Sequence, residues 1–202
     1  MYEEIVRIPF IVRWPSISPA GAVSKEPVSH IDLVPTLLEY FGLAIPEILQ
    51  GRSMLGQMRD PHQRTNDFVF LEFNRFEIDH DGFGAFAPIR CAFDGRYKLV
   101  INLLDTDELY DLSADPFELQ NRINDPVMST QREQLMDELL AWMNRTRDPL
   151  RGPHWSRRHW GRREGSTWGG PTRPRSFDEA YYPKTLLYDT GKVVDRFEYN
   201  KH

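Results

Sequence analysis

Two short stretches of this chain gather the side chain types that carry out chemistry in proteins. The first runs from Glu72-Phe73-Asn74-Arg75-Phe76-Glu77 into Asp79-His80-Asp81, with Gly82 and Gly84 close behind. An imidazole moves protons near neutral pH, and clustered carboxylates and imidazoles bind metal ions. This spacing matches no metal-site pattern, so the residues by themselves favour a solvated loop between strands. The second stretch puts Arg90 and Lys98 on either side of Asp94-Gly95. A guanidinium suits recognition of sulfate or carboxylate through its planar fork. Charged residues on the outer face of an antiparallel sheet are equally ordinary. Lys98 is therefore expected in solvent, while Arg90 is divided between the two roles. His30 lies at a helix entrance, where capping or packing is the expected part. Asp105, Asp107 and Glu108 have no visible partner for an acid–base pair and read as a turn and a solvated strand start.

Elements must position these side chains. Ile8-Pro9-Phe10-Ile11-Val12-Arg13 is short, branched and apolar on both faces, which predicts a strand buried on both sides. Ser29 to Gly42 predicts a helix, with Ser29 or Asp32 at its start, Pro35 in the tolerant first turn and Gly42 at the stop. Leu33, Val34, Leu37, Leu38 and Phe41 make its apolar stripe. Residues 45–60 read as irregular, with a tight turn at Gly51-Arg52-Ser53. Strands are predicted over 67–73, 87–93, 96–102 and 108–112, with Asp94-Gly95 as a hairpin turn. Asp125-Pro126 then opens a long helix to about Arg147, whose Leu135, Met136, Leu139, Leu140 and Met143 should pack on that sheet.

The 202 residues are 40% apolar and 27% charged, with a net charge of -5. That composition suits a globular chain and argues against wholesale binding to nucleic acid or anionic membrane. No apolar run approaches the roughly 18 residues a membrane span needs, and no signal peptide is visible. One cysteine, Cys91, excludes an internal disulfide framework.

Taken in order, several segments resemble the sulfatases, members of the alkaline-phosphatase-like superfamily. Tyr2 to Pro15 resembles the family's strand after its metal-binding half. Pro27-Val28-Ser29-His30-Ile31-Asp32-Leu33-Val34-Pro35-Thr36-Leu37-Leu38 resembles the helix that follows, and Leu49-Gln50-Gly51-Arg52-Ser53 its "GxSL"-like loop. Arg96-Tyr97-Lys98-Leu99, Glu108 to Leu112 and Asp115-Pro116-Phe117-Glu118-Leu119 resemble its C-terminal subdomain. The resemblance implies an α/β fold: the C-terminal part of an alkaline-phosphatase-like sulfatase, with a small antiparallel sheet packed by a long helix. It implies three regions: 1–60, the end of the α/β core; 61–150, the sheet-and-helix subdomain; and 151–202, an extended Trp/Arg-rich tail.

Family chemistry uses a formylglycine nucleophile, made from a Cys or Ser followed by x-Pro-x-Arg, and a divalent cation. Cys91 sits in Ile89-Arg90-Cys91-Ala92-Phe93 with neither the Pro nor the Arg, and Ser16 and Ser18 lack the following Arg. No catalytic residue and no metal ligand is therefore carried over. Calcium or another divalent cation is expected in the full-length enzyme and none in this chain. The expected partners are a sulfated small molecule or sugar and the missing N-terminal half. His80, Asn74, Arg75 and Arg90 are the residues that would touch substrate at the pocket rim. Trp155, Trp160 and Trp168, interleaved with arginines over 151–175, have three readings: a tail anchored by its indoles, which is favoured, a pocket wall for an anionic substrate, or a nucleic-acid track. The function expected is completion of a sulfatase fold, inactive alone. The alternatives are a stand-alone interaction module and part of a phosphate or phosphonate ester hydrolase.

Overall fold

A computed structural model describes residues 1–75, 86–160, 184–186 and 193–195. Four strands, β1 (Val69–Arg75), β2 (Phe86–Phe93), β3 (Tyr97–Asn102) and β4 (Glu108–Asp111), form one antiparallel sheet in sequence order. All four fall within a residue or two of the expected bounds. The β2–β3 turn forms because Gly95 takes φ +97°, open to glycine at little steric cost. Asp94 completes the turn by accepting the backbone N–H groups of Arg96 at 2.8 Å and Tyr97 at 2.6 Å. The outer edge of β4 is closed. Leu109 donates its N–H to Asn121 Oδ1 at 3.1 Å and accepts from Arg122 N–H at 2.8 Å. A sheet edge so occupied offers little to another strand.

Three short helices precede the sheet: α1 (Glu3–Val6), α2 (Leu33–Tyr40) and α3 (Leu55–Arg59). The long helix α4 (Ser129–Arg145) follows it, introduced by a tight turn at Pro126–Met128. Asp125 caps that turn by accepting Val127 N–H at 2.9 Å, and Pro126 sits where a missing amide costs nothing. Leu135, Met136, Leu139 and Met143 on α4 are buried, as is the β2–β4 set Ala92, Leu99, Ile101 and Leu109. Backbone contacts divide the chain into two units, residues 1–139 and 140–202, with the boundary inside α4. The second unit contains a single helical turn, α5 (Pro153–Ser156), and a strand pair, β5 (Lys184–Leu186) with β6 (Val193–Asp195).

Three expectations are corrected. Residues 8–13 are not a strand: no strand of the four-stranded sheet pairs with them, and Ile8, Phe10 and Ile11 are exposed, Ile11 at 92%. Extended backbone becomes a strand only when a neighbour takes its amides and carbonyls, and none of the described residues does so. The helix at 33–40 forms as expected, but its apolar stripe faces outward. Leu33, Val34, Leu37 and Phe41 are exposed, and the buried positions are Pro35 and Thr36. Lys98, expected in solvent, is 1% exposed. Its ammonium pairs with Glu118 at 2.5 Å and Glu3 at 3.0 Å. The physical reason lies in the run around it: Leu99 to Ile101 are buried alternately on both faces of β3, so the sheet is covered on each side.

Two polar hubs hold the first unit together. Lys98 with Glu118 and Glu3 is one. Glu118 also accepts the Glu3 N–H at 2.6 Å, and it holds φ +53°, a backbone region unfavourable for a side chain of this size. The second hub is Asp32, buried at the start of α2. Its carboxylate accepts the N–H groups of Ser29 at 2.9 Å and Arg52 at 2.8 Å and the amide of Asn66 at 2.7 Å. Thr36 extends the tie, donating to Asp32 O at 2.6 Å and accepting Met54 N–H at 2.9 Å. The chain can come this close only through glycine: a Cβ on Gly51 would lie 2.1 Å from Ile31 O.

Both hubs yield a measurable outcome. Lys98→Met should destabilise by roughly 3–5 kcal/mol, because it leaves buried carboxylates unpaired. The double variant Lys98→Met/Glu118→Gln should lose less than the sum of the single changes. Denaturant midpoints check both, and additive losses would refute the coupling. Gly51→Ala should cost about 1–3 kcal/mol or more through backbone overlap, whereas Gly152→Ala, with its nearest neighbour at 3.8 Å, should be close to neutral in the same assay.

Candidate functional site

The chemistry-bearing end of the sheet is where β1 and β2 meet. Glu72 stands opposite Arg90 in the register, so both side chains share one face, and Asn74 follows two residues on. The ladder is irregular here: Phe73 pairs with Ile89 and Arg75 with Phe86, so β2 carries one extra residue across from Asn74. Bulges re-aim side chains at the ends of sheets, and Pro88 falls where β2 needs no ladder donor.

Arg90 lies inside this face, with its side chain 1% exposed. Its Nη1 donates to Asn74 Oδ1 at 2.8 Å and Ile89 O at 2.9 Å, and its Nε lies 3.7 Å from a Glu72 carboxylate oxygen. Asn74 is exposed. The structure thus brings Asn74 and Arg90 into contact and places the Arg75 backbone beside them in β1. His80, with Asp79 and Asp81, lies outside the described residues.

The other candidates separate from this end. His30 begins the short turn before α2 and is exposed, so it lines no buried site. Cys91 is fully buried, and burial pushes its thiol up to about 12. A thiol held protonated in this way is a packing group and no nucleophile at neutral pH. Asp107 is buried and accepts Asn102 N–H at 3.1 Å, which makes it a turn-former. Among the described residues no three His, Cys, Asp or Glu side chains are grouped so as to hold a metal ion.

A cleft of about 390 Å³ opens between Lys25, Glu26, Arg64, Arg96 and Tyr97. Its guanidinium groups are engaged. Arg64 donates to the carbonyls of Asn66 at 2.9 Å and Asp67 at 2.7 Å. Arg96 grips Asp111 through two hydrogen bonds, 3.0 and 2.7 Å, and lies over the Tyr97 ring. That grip holds the Asp111 carboxyl well below the usual carboxylate range. The cleft is a junction between loops and turn, held by its own charges.

Of the Trp/Arg segment, residues 151–160 are described and 161–175 are not. Trp155 is completely buried, and its indole N–H donates to Leu150 O at 2.8 Å. An indole so placed anchors its own stretch of chain.

Sequence reasoning missed three features: the burial of Lys98, the part of Glu118 and the Asn74–Arg90 contact. The signal for the first was present, since a lone lysine inside Tyr97-Lys98-Leu99-Val100-Ile101 interrupts a run with no other polar residue. The other two join residues 16 and 20 positions apart, with no local pattern to mark them.

No helix among the described residues is long and apolar enough to cross a membrane. Residues 1–145 match the family model described as N-sulphoglucosamine sulphohydrolase, C-terminal. The chain is 43% identical over 193 residues to the uncharacterized sulfatase YidJ of Escherichia coli, a match that takes in 95% of this chain and 37% of that protein. It therefore spans little more than a third of the length of that relative. Among solved structures it is similar to a protein captured with its substrate D-glucosamine-2-N,6-O-disulfate, with a TM-score of 0.60 and 22% identity over 69% of this chain and 28% of the other. It is also similar to a phosphonate monoester hydrolase of Silicibacter pomeroyi, with a TM-score of 0.52 and 28% identity over 66% and 28%. The first of these likenesses carries the fold alone, and it agrees with the expected α/β architecture of four antiparallel strands and a long helix. With the family model matched across most of its length, the chain belongs to the sulfatases, as their N-sulphoglucosamine sulphohydrolase-type C-terminal domain.

Proposed function

We propose that this chain completes a sulfatase that acts on a sulfated sugar, by docking on the α/β half that carries the nucleophile and the divalent cation. The observation that carries the reading is the apolar surface along residues 5–48. Ile5, Ile8, Phe10, Ile11, Val23, Leu33, Val34, Leu37, Phe41 and Leu43 are all exposed. Side chains of this kind clustered in one segment mark an interaction surface. The partner that fits is the remainder of a sulfatase, because the Escherichia coli relative is nearly three times as long as the region it shares with this chain.

In this assembly the cation, calcium in our reading, would polarise the sulfate ester. Its ligands, on this reading, would come from the partner half. The rim residues Asn74, Arg75 and His80 would meet the sugar, and Arg90 would act through Asn74. The sugar assignment draws on the disulfated glucosamine bound by the structural neighbour. The likeness to a phosphonate monoester hydrolase supports a second reading, in which the same domain completes a phosphonate ester hydrolase.

Co-production with the part of the Escherichia coli relative left unmatched tests the reading. The two pieces should co-purify and, with calcium, hydrolyse glucosamine 6-sulfate faster than a phosphonate monoester. The purified chain alone should show no turnover of either. Activity in the chain alone, or two pieces that never associate, would contradict the proposal.

A further inference from the structure

Arg90 carries a guanidinium that is almost completely buried, yet it lies at the end of the sheet where the proposed pocket rim begins. Its group is a donor only, with no lone pair to offer. The Asn74 atom that meets Arg90 Nη1 at 2.8 Å must therefore be the amide oxygen. That fixes the whole amide. With Oδ1 turned to the guanidinium, the NH2 group on the other branch of the planar amide is left to face away from that contact, and Asn74 is exposed. An asparagine free in solution turns either end outward. This one is held as a donor.

Three further observations point the same way. Arg90 cannot swing out to take a ligand itself, because Nη1 also donates to Ile89 O at 2.9 Å and the side chain is 1% exposed. Glu72, opposite in the register, keeps its carboxylate 3.7 Å from Arg90 Nε and so sets a negative charge beside the other edge of the guanidinium. The extra residue of β2 opposite Asn74 breaks the ladder at this point, as bulges beside binding sites do. A positive charge on the oxygen side of an amide also polarises it and strengthens its N–H groups as donors.

We infer that Asn74 donates its amide NH2 to an acceptor oxygen of the sulfated sugar, and that Arg90 is the positioning residue which keeps the amide in that orientation. The inference rests on the sulfatase reading above and deepens it, since it names the atom that meets the substrate. A sulfate or hydroxyl oxygen is accepted, and a group with only donors at that point is not.

The test is steady-state kinetics of the assembled enzyme on glucosamine 6-sulfate, read with thermal melting of each variant. Asn74→Asp keeps an oxygen for Arg90 and makes the contact charge-assisted, but it removes the donor and sets a carboxylate against the sulfated sugar. KM should rise about tenfold or more with kcat within twofold, and the melting temperature should not fall; tenfold corresponds to about 1.4 kcal/mol of lost binding. Arg90→Gln presents both a donor and an acceptor, so it lets the Asn74 amide turn over and should raise KM in the same way. Arg90→Lys, donor-only, should restore most of the affinity. An unchanged KM in Asn74→Asp, beside an active unsubstituted enzyme, overturns the inference while leaving the sulfatase reading intact. An unsubstituted assembly inactive on every sulfated sugar removes that reading and this inference with it.

Discussion

A lysine ammonium taken out of water must be answered by carboxylates close by, and Lys98 is answered by two. Desolvating these charges is expensive, and only good geometry with further hydrogen bonds recovers the loss. The geometry is supplied by Glu118, held in an unfavourable backbone region, and by Glu3 from the start of the chain. One cluster thereby joins the N-terminal helix, the start of β3 and the loop after β4. Tyr2 adds to it, donating to Glu108 at 2.9 Å across from the Tyr110 ring. The sheet and the segment that precedes it are fixed to each other by polar contacts before any apolar packing is counted.

That arrangement explains how a chain can be well tied and still expose so much apolar surface. Asp32 does for α2 and the loop at 49–54 what Lys98 does for α1 and the sheet: buried hydrogen bonds set the path of the chain, while Ile5 of α1 and Leu33, Val34 and Leu37 of α2 remain exposed. Polar hubs of this sort specify a conformation more than they add stability. On the proposed reading, the outward stripe on α2 and the extended run at 8–13 are shaped in advance for another surface, the catalytic half of a sulfatase.

The parts of this organisation legible in the sequence are those that local rules govern. Asp94-Gly95 marked the hairpin because glycine accepts positive φ, and Asp125-Pro126 marked the start of the helical region because the cap and the proline are both local signals. The residues that close over distance were not legible. Lys98 meets Glu3 from 95 positions away, and nothing in either neighbourhood announces the other. Periodicity gave the apolar stripe of α2 but not its direction, because a stripe aimed at a partner has the same pattern as one aimed at a core. The run at 8–13 has the composition of a buried strand, yet composition cannot supply the neighbouring strand it needs. At the candidate site Arg90 was legible as an anion-binding type of residue. That its guanidinium meets Asn74 follows only from the fold.

On the proposed reading residues 5–48 form a surface completed by a catalytic partner, and backbone hydrogen exchange measures this directly. The chain is compared alone and after addition of the unmatched part of the Escherichia coli relative. Amides in 8–13 should exchange freely in the isolated chain and slow by about tenfold or more on assembly, as this run gains a strand neighbour, while amides of β3 remain unchanged. Exchange at 8–13 that is already slow in the isolated chain, or that stays fast in the assembly, would contradict that reading.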